Sequence, residues 1–308
     1  MRTRFKGFVT ATVAAAAVGA VFSLAATQTA GQAPAGRGTA PAGRGAAPAQ
    51  PGARGAAPAQ PAARGAATGR VPRNAWDGKP NMNGTWQALN TSNWNLEDHA
   101  ASAGPFYQMG AIGAVPPGQS VVDGGDIPYL PAAAEQRKKN YVNRLTEDPE
   151  IKCYLPGIPR ATYMPYPFQI VQSPSNILMA YEYASANRVV NMGKPTEAPV
   201  DSWMGWSNGS WQGDTLVVDV KSMNGKAWLD RAGNFTTDNV HVVERFTMAD
   251  ADHINYEATI DDNKVFSRPW KLSLPLYKRV EKNAQLLEFK CVEFSEELLY
   301  GHLRKRYN

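Results

Sequence analysis

The chain has 308 residues and a formal net charge of +5, with hydrophobic side chains at 43% of positions and aromatic ones at 10%. The positive charge is concentrated at the start. Residues 1–76 contain nine Lys and Arg side chains and no Asp or Glu, so residues 77–308 carry 23 basic and 27 acidic side chains, a net charge of −4. Because a nucleic-acid-binding domain presents a basic surface, this balance argues against nucleic acid as a partner of the folded region.

Residues 1–30 have the three parts of a secretory signal peptide. Arg2, Arg4 and Lys6 form a positively charged start, an apolar run covers residues 8–26, and small residues follow. This order predicts export to the periplasm or the extracellular space. A membrane anchor is the alternative, since the apolar run approaches the roughly 20 residues that a transmembrane helix needs. The Ala-rich, Leu-poor composition of the run favours the signal peptide.

Residues 31–72 are predicted to form a disordered linker. Ala, Pro, Gly and Arg recur there in short repeats such as A-P-A-G-R-G. Without large apolar side chains, no packed core can offset the entropy lost when such a chain becomes ordered. The arginines could make a weak contact with an anionic lipid or polymer of the cell envelope or with nucleic acid, or the segment could serve only as a spacer.

Residues 73–308 are predicted to form a single β-rich domain. One helix is expected at residues 132–145, where strong helix formers follow Pro131. Alternating apolar and polar residues, bounded by Gly, Asn, Asp and Pro, predict strands. The expected strands cover residues 83–87, 168–172, 176–183, 188–192, 208–219 with a turn at Gly213 and Asp214, 240–248, 254–260, 270–276 and 285–294. Consecutive strands favour an all-β fold with one helix and long loops, either an antiparallel β-barrel or a barrel-like sandwich.

The strand at residues 240–248 places a carboxylate among apolar side chains. Glu244 shares one face with Val, Phe and Met residues, and Tyr256 lies on the apolar face of the next strand. A carboxylate in that position must be paired, hydrogen-bonded or protonated. Glu244 and Tyr256 are therefore candidates for polar contacts in a ligand cavity or for general acid/base catalysis. Alternatively, Glu244 is a structural carboxylate at the mouth of a barrel or paired with an inward arginine such as Arg268.

Three tryptophans and two arginines complete the candidate ligand site. Trp206, Trp211 and Trp270 lie in or beside predicted strands and could line an apolar pocket. At the spacing of a strand they could equally be part of an ordinary core. Arg160 or Arg268 would supply the charge that orients a ligand.

Cys153 and Cys291 are the only cysteines of the chain. In an exported protein an even number of cysteines favours a disulfide, with two buried thiols as the alternative. The four histidines show no metal-binding spacing, and no nucleotide or dinucleotide fingerprint is present. The acidic cluster at residues 261–263 is typical of a hairpin turn and lacks the alternating ligands of a calcium loop. Neither a metal ion nor a cofactor is therefore expected.

Several motifs resemble those of known families. The G-x-W sequences at residues 84–86 and 209–211 resemble the lipocalin motif, in which the Trp closes one end of a small ligand-binding barrel, and imply a lipocalin/calycin-like architecture. C-x-x-P-G-x-P-R at residues 153–160, G-x-W-x-G-D-T-L-V-V-D at 209–219, V-V-E-R-F at 242–246 and R-P-W at 268–270 resemble, in this order, a large family of exported bacterial proteins. This second resemblance covers most of residues 80–295. It implies export and one domain, and no particular activity.

These features favour an exported β-barrel that binds a small apolar, aromatic or sugar-like molecule in an aromatic-lined interior. Two alternatives stay open. One is a secreted hydrolase, lyase or isomerase with Glu244 as general acid/base, in which Tyr256 or an arginine stabilises negative charge. The other is a cell-envelope interaction protein that makes its contact through the arginine-rich linker.

Overall fold

The computed structural model describes residues 70–304. The predicted signal peptide and all but the last three residues of the predicted linker lie outside this range, so both stay predictions. In the part of the chain that is described, no helix has both the length and the apolar character needed to cross a bilayer.

The described residues contain nine strands, which form a closed β-barrel. The strands are β1 (Gly84–Ala88), β2 (Phe168–Gln172), β3 (Asn176–Tyr181), β4 (Asn187–Asn191), β5 (Trp206–Gln212), β6 (Thr215–Lys221), β7 (His241–Met248), β8 (His253–Asp261) and β9 (Trp270–Lys278). The helices are α1 (Pro131–Glu147), α2 (Arg160–Tyr163) and α3 (Ser295–Tyr300), with 3₁₀ turns at Tyr107–Gly113, Tyr183–Ser185 and Gly301–Leu303. Each strand pairs with the next, and β9 pairs with β1; the β4–β5 pair is parallel and the others are antiparallel. The prediction of an all-β barrel is confirmed.

Alternate residues of the strands fill the barrel with side chains. In one row across β6 to β9, Val218 lies opposite Glu244, Glu244 opposite Ala258, and Ala258 opposite Leu272. All four residues are 0% exposed. Other buried residues of the strands include Trp86, Phe168, Ile170, Met179, Leu216, Phe246, Tyr256 and Ile260. A barrel of about eight strands is just wide enough for side chains to fill, and here they form a packed core.

The glycines of the two G-x-W motifs lie where the chain passes close to a neighbouring strand. A Cβ atom at Gly84 would lie 2.7 Å from Lys278 Cε, and one at Gly209 would lie 2.6 Å from Val190 Cγ1. Distances this short force neighbours to move, so a side chain at Gly209 would disturb the parallel contact between β4 and β5. Trp86 of the first motif is fully buried and donates its indole N–H to a main-chain carbonyl at 2.8 Å.

Most of the predicted elements are confirmed, with small shifts at their ends. The predicted helix at residues 132–145 is α1, which extends at both ends. The strand predicted at residues 168–172 coincides with β2. The run at residues 208–219 divides into β5 and β6 at Gly213, whose φ of 61° favours glycine.

Residues 285–294 were predicted to form a last strand, and this prediction is wrong because the segment has no regular secondary structure. Its alternating residues are compatible with a strand, but β9 already pairs with β1, and a closed barrel has no free edge to which another strand could add. The segment lies against loops outside the barrel instead. The ring of Phe289 packs 5.0 Å from that of Tyr166 and 5.1 Å from that of Tyr183.

Candidate functional site

The polar cluster inside the barrel is centred on Glu244 of β7. Arg188 of β4 donates Nη1–H to Glu244 Oε2 at 2.6 Å and Nη2–H to Oε1 at 3.1 Å. Tyr256 of β8 donates its hydroxyl to Oε1 at 2.8 Å. The side chains of Arg188 and Glu244 are 2% and 0% exposed. Both carboxylate oxygens are therefore occupied by donors from the protein itself.

The arginine that pairs with Glu244 is Arg188, not Arg268. Arg188 and Val190 are buried on the inward face of β4, with exposed residues between and beside them. Arg268 precedes β9 and is exposed, with its Nη1–H 3.4 Å from Pro269 O. The interpretation of Glu244 as a carboxylate paired with an inward arginine therefore fits the structure, but Arg268 was the wrong partner because it lies outside the strand.

Electrostatics favour an ion pair with a neutral tyrosine in this cluster. Burial raises the pKa of Tyr256 well above its usual range, and the charge of Glu244 adds to that shift. Burial opposes the charge of Arg188, but the neighbouring Glu244 carboxylate outweighs this and raises the arginine pKa. Tyr256 therefore stays a hydrogen-bond donor and Arg188 stays a cation. The cluster links β4, β7 and β8, and both oxygens of the Glu244 carboxylate are occupied.

The three tryptophans of the predicted site are not brought together. Trp206 points outward from β5 and donates its indole N–H to Thr196 Oγ1 at 3.0 Å. Trp211 lies on the opposite, inward face of the same strand and is partly buried against the core. Trp270 of β9 is 3% exposed and packs edge-on against Phe266, with ring centroids 5.4 Å apart. Trp270 is therefore a core residue, and Trp206 belongs to the outer surface.

Arg160 belongs to a second charged cluster, at the start of α2 and just after α1. It donates to Asp148 Oδ1 at 3.0 Å and to Glu150 Oε2 at 2.6 Å. Arg231, in the loop between β6 and β7, donates Nε–H and Nη2–H to the two oxygens of Glu150, both at 2.8 Å. Burial raises the pKa of Glu150, but the charges of Arg231 and Arg160 outweigh it and lower that pKa to about 2. Glu150 is therefore ionised at neutral pH and orients both arginines.

A pocket of about 410 Å³, named here the lateral pocket, opens beside the second cluster. None of its lining residues belongs to a barrel strand. Its walls are the loop before α1, the last turns of α1, Arg231 and α3. The lining residues are Trp94, Asn95, His99, Ala100, Ser102, Pro105, Phe106, Met109, Ile112, Gly113, Ala114, Val115, Tyr141, Arg144, Leu145, Asp148, Ile151, Arg231, Ala232, Glu296 and Tyr300. This mostly apolar lining with a few polar groups is typical of sites for small organic molecules.

One wall of the lateral pocket is a loop that folds back on itself, residues 99–118, named here the flap. Two isolated β-bridges close its base, one between His99 and Gly118 and one between Ser102 and Val115. The 3₁₀ turn lies at its tip. Within the flap, Gly104 lies so close to residue 113 that an added Cβ would lie 1.7 Å from the main-chain oxygen of that residue. The flap is therefore a compact element and not an open loop.

The opposite wall is the C-terminal arm, defined as residues 279–304, which carries α3. The predicted disulfide between Cys153 and Cys291 is confirmed, with their Cα atoms 5.7 Å apart. The N–H of Phe294 donates to Ile151 O at 2.8 Å, next to the bridge. These contacts hold α3 against the lateral pocket, to which it contributes Glu296 and Tyr300. The disulfide thus supports a wall of the candidate site.

Sequence patterns identified the interior cluster only in part. Arg188 alternates with Val190 in a predicted strand, so its inward position could have been found from the same periodicity that placed Glu244. Glu150 and Arg231 lie in loops, where no periodic pattern predicts which side chains meet. Across residues 70–304, no three His, Cys, Asp or Glu side chains are grouped in a way that could hold a metal ion.

The chain matches no protein-family model and no curated protein. Its membership of the exported bacterial family therefore stays a prediction from the motifs.

Proposed function

We propose that this chain is an exported protein that binds a small apolar or aromatic molecule in the lateral pocket. The pocket, and not the interior of the barrel, is the binding site in this proposal. The observation that carries it is a concave, largely apolar surface beside a fixed charged cluster. The volume of about 410 Å³ lies within the range of roughly 300 to 1,000 Å³ that is usual for small-molecule sites.

The lining supports an apolar or aromatic ligand. Trp94, Phe106 and Tyr300 provide aromatic surface, while Met109 and Leu145 add aliphatic surface. Aromatic side chains contribute large contact areas and defined ring geometry to binding sites. The apolar body of a ligand would release water from these walls, which is the main source of affinity for such molecules.

The packing of the barrel favours the lateral pocket over the interior. The residues that surround Glu244 are fully buried, and the carboxylate already accepts hydrogen bonds from Arg188 and Tyr256. A ligand that replaced these partners would leave a buried charge unpaired, at a cost of several kcal/mol. The same argument weighs against Glu244 as a general acid/base in a hydrolase, lyase or isomerase.

Export is supported by two separate features. The sequence begins with the pattern of a signal peptide, and the two cysteines form a disulfide, which persists mainly in oxidising compartments such as the periplasm.

The test is binding of N-phenyl-1-naphthylamine, a neutral aromatic dye whose fluorescence rises in apolar surroundings. We expect saturable binding to the full chain and a loss of at least about tenfold in affinity for Met109→Asp, because the new carboxylate would have to be desolvated in the pocket wall. Val142→Asp is the matched control, since Val142 is 74% exposed and does not line the pocket.

Glu244→Gln separates the lateral pocket from the barrel interior. The dye should bind this variant with unchanged affinity, provided that it folds. Absence of saturable binding to the wild-type chain would overturn the proposal. So would a Met109→Asp variant of normal affinity combined with a weakened Glu244→Gln variant, because that result would place the dye inside the barrel.

A further inference from the structure

We propose that the ligand of the lateral pocket carries a carboxylate, which binds Nη1 of Arg231 in place of the Glu296 side chain. This inference rests on the proposed function and specifies its ligand as an amphipathic organic acid. Glu296 is then an internal substitute for the ligand carboxylate, displaced when the ligand binds.

Arg231 is oriented before any ligand arrives. Its Nε and Nη2 atoms are held by Glu150 at 2.8 Å each, and its guanidinium carbon lies 4.6 Å from the centre of the Trp94 ring. An arginine fixed in this way loses little conformational freedom when it binds a further acceptor. Its Nη1 atom is directed away from the two atoms that Glu150 holds.

The contact between Arg231 Nη1 and Glu296 is weaker than the two contacts between Arg231 and Glu150. Among residues 70–304, Nη1 meets Glu296 Oε1 at 3.4 Å, which is longer than a usual charge-assisted hydrogen bond. The Glu296 side chain is 45% exposed, and ion pairs in such positions contribute little to stability. Glu296 can therefore turn into solvent while a ligand carboxylate takes a shorter contact with the same nitrogen.

The balance of charges around Arg231 Nη1 allows one more anion to bind. Arg160 and Arg231 balance Asp148 and Glu150, so these four side chains have no net charge. Arg144 lines the same pocket with its guanidinium stacked on the Tyr141 ring, 4.2 Å from the ring centre. With Glu296 turned away, the pocket lining presents Arg144 and the free edge of Arg231 to the ligand.

The apolar walls require the rest of the ligand to be hydrophobic. Phe106 of the flap packs against Tyr300 of α3, with ring centroids 5.8 Å apart, and both line the pocket. An acid with an alkyl chain or a phenyl ring places its apolar part against these walls and its carboxylate at Arg231. Inorganic anions and neutral hydrocarbons each satisfy only half of this arrangement.

The test compares acids with alcohols of the same carbon skeleton by isothermal titration calorimetry at pH 7.5. Octanoate is paired with 1-octanol, and 3-phenylpropanoate with 3-phenylpropanol. We expect each acid to bind the full chain at least about tenfold more tightly than its alcohol, the difference expected for one charge-assisted hydrogen bond. Equal affinity of acid and alcohol would overturn the inference while leaving the proposed function intact.

Glu296→Gln is the decisive variant, since loss of Arg231 would leave Glu150 buried without its partner and could prevent folding. Removing the competing carboxylate should raise the affinity for both acids about two- to fivefold and leave the alcohols unchanged. Glu297→Gln is the matched control, because Glu297 lies on the same helix, pairs with Arg304 and does not line the lateral pocket.

Unchanged acid affinity in Glu296→Gln would overturn the displacement step. If neither acids, alcohols nor the neutral dye bind, the proposed function itself fails.

Discussion

At the scale of single residues, the two buried carboxylates Glu244 and Glu150 have different surroundings. Glu244 is enclosed by the barrel, and its donors, Arg188 and Tyr256, are buried with it. Glu150 binds one buried arginine and also Arg231, whose side chain is 23% exposed. The buried Arg188–Glu244 pair joins the strands that carry it, whereas a carboxylate that holds a partly exposed arginine can orient that arginine for a ligand. This contrast is why the functional proposal rests on Arg231.

The first residue-scale prediction concerns the pH dependence of stability through Glu150. Its pKa in the folded chain is about 2, below the ordinary value of 4.5. A carboxyl with a lowered pKa stabilises the fold fully above its unfolded pKa and loses this contribution as the pH falls towards its folded pKa. The wild-type chain should therefore lose about 3 kcal/mol relative to Glu150→Gln between about pH 5 and pH 2.

Urea denaturation of the two proteins at several pH values measures this difference. Subtraction also removes the opposite contribution of Asp230, whose pKa is raised to about 6 by burial against the hydrogen bonds that it accepts. The Asp230 contribution is present below pH 3.8 and is lost as the pH rises through 6, in both proteins. A difference between the two proteins that stays constant from pH 5 to pH 2 would contradict the assigned role of Glu150.

At the scale of elements, the flap differs from the barrel in how its shape is fixed. The strands are held by continuous ladders, whereas the flap depends on two bridges at its base and on the close approach of residues 104 and 113. Elements with few backbone contacts open more easily than a core sheet. The flap can therefore be altered without loss of the barrel.

The element-scale prediction is that Gly104→Ala weakens ligand binding and spares the barrel. The added Cβ would lie 1.7 Å from the main-chain oxygen of residue 113, so the segments around residues 104 and 113 must move apart. We expect the affinity for N-phenyl-1-naphthylamine to fall at least about tenfold, since misplaced walls lose packing contacts, while the midpoint of urea denaturation changes little. Gly193→Ala is the control, because a Cβ there meets no atom within 4 Å and its φ is not positive. Equal losses of affinity in both variants would contradict the steric explanation.

At the scale of the whole molecule, the barrel was predictable and the candidate site was not. β7, β8 and β9 were predicted because one face of each is buried and period-2 alternation follows directly from that burial. The parallel pairing of β4 with β5 has no local sequence signal, since it depends on how the long connection between them folds. The lateral pocket is built from loops, α1 and α3, and contacts between such distant segments leave no periodic pattern in the sequence.

The disulfide joins two segments that both lie outside the barrel strands. Cys153 lies shortly before α2, whereas Cys291 lies in the arm, 138 residues later in the sequence. β9 pairs with β1 through Leu276, Tyr277 and Lys278, and Arg279 at the start of the arm adds one main-chain hydrogen bond to Thr85 O. Neither cysteine takes part in these contacts, so the barrel does not need the bridge in order to close. The bridge lies next to the hydrogen bond between Phe294 and Ile151 that positions α3, so we expect the lateral pocket to depend on it.

The whole-molecule prediction is that replacing both cysteines by serine affects the pocket more than the barrel. Loss of a bridge that closes a loop of this length should lower the free energy of unfolding by about 2 to 5 kcal/mol, mainly because the unfolded chain gains freedom. Hydrogen exchange should become faster in residues 285–300 and stay slow in β6 to β9, and dye affinity should fall. The single-residue control is Glu297→Gln, which leaves the bridge in place. Unchanged exchange in residues 285–300 would show that packing alone holds the arm, and the disulfide would then contribute only to global stability.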